Sequence, residues 1–175
     1  MTTLTINRSA VNDLYNQYSD INDIKNIKAR DIAVRLFQVN GANAVNDLIA
    51  SDEINPDTAN QVLGSLVDLQ VRDYAIGITD DSNINKLANI WAELAKIAPA
   101  GAIAPVATLC AVVNYELGNE KISLDMLKVA QDDESQYPLA LLIARVIKAG
   151  WGAGGFALMR KQLHHKVVAT IYGTK

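Results

Sequence analysis

From position 84 the apolar residues Ile84, Leu87, Ile90, Trp91, Leu94 and Ile97 fall three or four places apart, and the pattern stops just before Pro99. That spacing puts all six on one side of an α-helix, and it cannot be laid on one face of a strand, where the period is two. The same period recurs almost everywhere else. Val11, Leu14, Tyr15 and Tyr18 form one stripe, with Ser9 as its expected cap. Asp20 or Asn22 opens a second helix through Ile27, Ile32, Leu36, Phe37 and Val39, and Asn40-Gly41 reads as its stop, because glycine readily takes positive φ. A short third helix follows over 44–49. Asn55-Pro56-Asp57 then restarts the chain, and Val62, Leu63, Leu66, Leu69, Val71 and Ala75 carry a fourth helix towards Gly77. After the 84–97 helix, further helices are expected over about 105–117, 122–130 and 139–147, and a last one carries Phe156, Met159, Leu163, Val167 and Ile171 on one stripe. No segment requires a strand, so the expectation is an all-α fold of about eight or nine helices.

With 10 Gly and 4 Pro in 175 residues, turns are few, and with 6% aromatic residues the core must be mainly aliphatic. The size suits one helical body over 1–151, followed by a glycine hinge and an amphipathic C-terminal helix over 152–175. A single cysteine, Cys110, excludes an internal disulfide. Residues 97–115 carry no charge, which matches a membrane span in length, but Pro99, Gly101 and Pro105 interrupt them, so a buried helix is expected and no membrane association. The first residues hold no apolar leader segment, and a cytoplasmic location is expected. Arg30-Asp31-Ile32-Ala33 and Arg72-Asp73-Tyr74-Ala75 share a pattern at an offset of 42, within the range of helical repeats. The favoured arrangement is therefore stacked antiparallel hairpins of HEAT or tetratricopeptide type, with an irregular helical bundle as the alternative.

Charge is unevenly placed. Residues 1–134 hold all 19 acidic side chains against 10 Lys and Arg, whereas 135–175 hold Arg145, Lys148, Arg160, Lys161, Lys166 and Lys175 and no acid. The two parts carry −9 and +6. Such a basic end meets either an anion such as nucleic acid or an acidic surface, the chain's own or a partner's. Six cations over 41 residues make a thin footprint for phosphate neutralisation, so a protein partner or self-association through the C-terminal helix is the preferred reading.

Leu69-Gln70-Val71-Arg72-Asp73, Trp91-Ala92-Glu93-Leu94-Ala95 followed by Pro99, Ala104-Pro105-Val106-Ala107, Leu117-Gly118 and Tyr137-Pro138-Leu139-Ala140 occur in that order. Through them the stretch 58–151 resembles an uncharacterised actinobacterial family of domains of unknown function, found on chromosomes, phages and plasmids. Longer members carry a further N-terminal region, so this chain looks like their helical C-terminal half. The resemblance implies a fold class and an origin, and no mechanism.

Arg72-Asp73 lies between apolar positions of a helix, where two charges must pair, and a structural tie between helices is expected. His164-His165 point about 100° apart on a helix and cannot share a metal as an i, i+4 pair does. Asp80-Asp81-Ser82-Asn83 and Asp132-Asp133-Glu134 read as acidic helix starts without the spacing of a calcium loop. Cys110 among Ala107, Leu109, Val112 and Val113 reads as a buried thiol. Gly152-Ala153-Gly154-Gly155 lacks the strand and the Lys-Ser/Thr of a phosphate loop and reads as a hinge. No catalytic, cofactor or metal set is expected. The nominated interaction surface is Trp151 at the hinge with Arg160, Lys161, His164 and His165 on the polar face of the last helix. The expectation is a non-catalytic adaptor module, with a nucleic-acid accessory protein and an enzyme with an unrecognised site as alternatives.

Overall fold

Asparagine side chains set where the first three helices begin. Asn7 accepts from the backbone N–H of Ser9 and Ala10, Asn26 from Ala29, and Asn55 from Asp57 and Thr58 ahead of Pro56. Each satisfies N–H groups that have no partner inside the helix. The computed structural model describes residues 4–173, so Met1 to Thr3 and the basic Lys175 lie outside the described residues. Among the described residues there are nine helices and no strand, and the fold is all-α. They are α1 (Arg8–Asn22), α2 (Ile27–Ala50), α3 (Pro56–Ser65), α4 (Leu69–Gly77), α5 (Ile84–Ile97), α6 (Ile103–Glu116), α7 (Glu120–Asp133), α8 (Pro138–Lys148) and α9 (Ala153–Tyr172).

Three boundaries differ from the sequence reading. Asn7 rather than Ser9 caps α1, because the chain is already helical at Arg8. Asn40-Gly41 does not stop α2, which runs unbroken to Ala50. Gly41 is there for close approach: a Cβ on it would stand 2.7 Å from Ser65 Cβ and 2.9 Å from Val71 Cγ1. The expected fourth helix is split into α3 and α4 by Asp68, whose carboxylate accepts from Gln70 N and Val71 N and also from the Gln38 side chain. The offset of 42 does not align equivalent environments either, since Ile32 is exposed and Tyr74 is buried.

The core is built around α6, in which every residue from Ala104 to Tyr115 is buried. This accounts for the uncharged stretch 97–115, and no described helix is long and apolar enough to cross a membrane. Leu87, Ile90, Trp91 and Leu94 of α5 pack against it, as the sequence stripe predicts, and Leu127 and Ala130 of α7 join the same core. Full burial of side chains of this kind contributes about 1.5–3 kcal/mol each. The start of α6 has no cap of its own. Asp133, at the end of α7, supplies one by accepting from Gly101 N, Ile103 N and Ala104 N at 2.8, 3.1 and 2.9 Å. A negative charge there also suits the positive end of the helix dipole.

Gly150, with φ +69°, turns the chain out of α8. Gly154 and Gly155 then belong to the first turn of α9 rather than to a hinge. α9 travels back to pack on α4, and less extensively on α2 and α6, whereas α8 stays on α7 and α6. Residues of α4, α8 and α9 line a concavity between them.

Candidate functional site

α4, α8 and α9 enclose a groove of about 450 Å³. Its apolar lining includes Leu139, Leu142 and Ile143 from α8 and Phe156, Leu163 and Val167 from α9. Arg72 and Asp73 line it from α4, with Arg160, His164 and Lys166 on the α9 side. Leu142 and Leu163 are 52% and 46% exposed, so apolar carbon from two helices faces the same open space.

The Arg72–Asp73 pair is a tie within one helix. Arg72 Nε and Nη2 both donate to Asp73 Oδ1, at 2.9 and 2.7 Å. Burial works against the charge on Arg72, but Asp73 and the Tyr137 hydroxyl outweigh it and hold the guanidinium's pKa above its ordinary value. Tyr137 is itself buried, and burial raises its phenol despite the cation beside it. Two motifs far apart in the sequence, Val71-Arg72-Asp73 and Tyr137-Pro138-Leu139, are thus brought to one end of the groove. The other motif residues serve the core: Trp91 is fully buried, Ala104 to Ala107 sit in α6, and Gly118 makes the turn after it with φ +79°.

Arg160 overturns the expectation that it lies on the polar face of the last helix. Its side chain is 3% exposed and that of its partner Glu116 is 5% exposed. Arg160 Nε and Nη2 donate to the two Glu116 oxygens, each at 2.7 Å, and Nη1 donates to the carbonyls of Gly77 and Thr79. A planar fork that meets both carboxylate oxygens is the strongest common ion-pair geometry. The cation also sits at the C-terminal end of α4, where the helix dipole favours it. His164 is turned inwards as well. Its ring lies 5.4 Å from that of Tyr74, and it fits only because position 77 is glycine, where a Cβ would stand 2.8 Å from His164 Cγ. Burial, then Arg160 and His165, lower the His164 pKa, so the ring is held neutral near pH 7.

The buried side of α9 carries Arg160 beside Phe156 and Ile171, with Met159, His164 and Val167 partly buried, so that of the stripe read from the sequence only Leu163 is exposed. Of the nominated interaction residues, the groove gathers Arg160 and His164 together with the Arg72–Asp73 pair. Lys161 and His165 are exposed outside its lining, and Trp151 is half exposed, its carbonyl accepting from the Tyr115 hydroxyl. Glu116, Tyr137 and Lys166 complete the site and were not singled out for it. The one signal for Glu116 is an acid ending an apolar helix, and nothing in the sequence points from it to a residue 44 places on.

Cys110 is buried in α6, and burial pushes its thiol up to about 11. Among the described residues no three His, Cys, Asp or Glu side chains come together in a way that would hold a metal ion. The groove presents an apolar floor, the Arg72–Asp73 pair and Lys166, which makes no ion pair among the described residues.

No curated protein and no solved structure matches the chain. Residues 10–152 match the family described as Domain of unknown function (DUF4192), which takes in α1 to α8 and ends where α9 begins. The matched region is wider than the 58–151 core read from the motifs, since it reaches back through α1 to α3. Because the match covers most of its length, the chain belongs to the DUF4192 family of domains of unknown function.

Proposed function

We propose that this protein is a non-catalytic helical adaptor that seats a segment of a protein partner in the groove between α4, α8 and α9. The observation that carries the reading is the convergence of Leu142 and Leu163, both about half exposed, on one groove of about 450 Å³. Solvent-facing apolar groups that share a concavity mark binding sites more often than isolated ones do. The ionisable groups support the same reading: Asp73 is engaged by Arg72, Glu116 by Arg160, and Cys110 is held as a thiol. The motifs that resemble the actinobacterial family support a setting in such a bacterium, or in one of its phages or plasmids.

A photo-activatable cross-linker placed at Leu163 in cells that make this protein tests the reading. It should trap one discrete protein adduct, and Leu142→Glu in the same chain should abolish it. A cross-linker at Leu124 on α7, which is also exposed but lies outside the groove, should not trap that protein. An adduct that survives Leu142→Glu, or that forms equally from Leu124, would rule the groove out.

A further inference from the structure

We infer that the segment taken by this groove is an acidic amphipathic helix of a protein partner, with its apolar face against α8 and α9 and a carboxylate towards Lys166. The inference rests on the adaptor reading and adds the chemistry of the occupant. Two of the three helices that line the groove, α8 and α9, come from the part of the chain beyond residue 134, which has no acidic residue. Within it Arg160 is already neutralised by Glu116. Arg145, Lys148, Lys161 and Lys166 are all exposed, and none of them makes an ion pair among the described residues. Lys166 is part of the lining itself. The one carboxylate in the lining, Asp73, is bound to Arg72.

An occupant must answer both parts of this surface. The floor of Leu139, Leu142, Ile143, Phe156, Leu163 and Val167 calls for apolar side chains, and Lys166 in the lining calls for an anion. A nucleic acid answers only the second, because its phosphates offer nothing to leucine. A helix with apolar residues at i, i+3, i+4 and i+7 and acids elsewhere answers both. A volume of about 450 Å³ accommodates a few side chains from one helix face, leaving the helix itself on the rim beside Lys166. The remainder of the chain, residues 1–134, carries −9, so an acidic partner is repelled there and steered to this end.

The test uses the full chain and three fluorescent probes followed by anisotropy. One is a helical peptide of about 16 residues with leucine at that spacing and glutamate elsewhere, one is its lysine counterpart, and one is a duplex oligonucleotide. The glutamate peptide should bind at least about ten-fold more tightly than the lysine peptide, with the margin shrinking as salt rises. Leu142→Glu should weaken it by more than about ten-fold, and Lys166→Glu should narrow the margin between the peptides. Both positions are exposed, so circular dichroism should show the fold kept. If both peptides bind equally and both need Leu142, the acidic character is refuted while the groove stands as a protein site. If neither peptide depends on Leu142, the adaptor reading falls, and this inference falls with it. If the oligonucleotide binds more tightly than the glutamate peptide and ignores Leu142→Glu, the site is one for nucleic acid and the inference is wrong.

Discussion

Replacing Glu116 with Gln leaves the Arg160 guanidinium buried, still donating to the carbonyls of Gly77 and Thr79 but with no carboxylate to balance its charge. Removing one partner of a buried pair costs about 3–5 kcal/mol, because the other charge stays out of water without compensation. The amide keeps one acceptor for the guanidinium, which puts Glu116→Gln near the lower end, about 3 kcal/mol. Arg160→Met should lie nearer the upper end, about 5 kcal/mol, since it strands the carboxylate and also takes a donor from two carbonyls at the end of α4. The double variant removes both charges together, and it should be less destabilised than either single one. Urea unfolding at neutral pH gives the three free energies, read from midpoints at constant slope. Hydrogen exchange should show where the loss begins, with residues 153–172 exposed before α6 and α7, as expected for a terminal helix freed from its anchor. Single-variant losses below about 1 kcal/mol, or a double variant equal to the sum of the two, would refute the view that this pair anchors α9 as a unit.

Gly77→Ala should destabilise the protein by about 1–3 kcal/mol by pushing a methyl into His164, and His164→Ala should recover part of that loss; equal melting temperatures for the wild type and Gly77→Ala would exclude the steric account. The pKa of His164 lies below its ordinary 6.5, so the unfolded chain binds the proton more readily than the folded one. Its stabilising contribution is complete above about pH 6.5 and declines as the pH falls from there towards the lower folded value. Urea midpoints should follow that fall, and His164→Gln should flatten it; an unchanged slope would assign the pH response to other groups. Asp133→Ala removes the acceptor for three backbone N–H groups at the start of α6 and should cost about 1–2 kcal/mol in the same assay. A chain ending at Gly150 loses the burial of Phe156 and Ile171 along with the Arg160 anchor, so it should unfold at least about 10 °C below the full chain; an unchanged transition would show that α9 contributes nothing to the body.

Where one face of a helix had only water opposite it and the other only aliphatic core, the sequence showed the helix plainly. The 84–97 stripe is the clearest case, because Leu87, Ile90, Trp91 and Leu94 meet α6 as their spacing requires. Local signals misled where a tertiary contact used the same residue for another purpose. Gly41 carries the signature of a helix stop, yet it lies inside α2 to let α3 and α4 come close. Asp68 looks like one more polar residue in a continuous helical pattern, yet its bonds to Gln70, Val71 and Gln38 begin a new helix there.

The site was harder to read than the fold for a related reason. Amphipathic logic sorts residues into apolar-inside and charged-outside, and on α9 that rule fails in both directions: Arg160 is inside and Leu163 is half outside. An arginine can take an inward position only when a partner waits for it, and Glu116 is 44 residues away on another helix, so no local pattern could announce the exchange. With Arg160 and His164 turned inwards, Phe156 and Ile171 keep their places in the core, and Leu163 is the one residue of the stripe presented to the groove. The buried ion pair and the exposed leucine are thus two consequences of one helix orientation. The charge asymmetry of the sequence persists with one cation fewer at the surface, since Arg160 is neutralised inside while Arg145, Lys148, Lys161 and Lys166 remain exposed, Lys166 on the groove itself. α9 thus gives the groove one exposed leucine and one exposed lysine, Leu163 and Lys166, from the same helix that the Arg160–Glu116 pair anchors to the body.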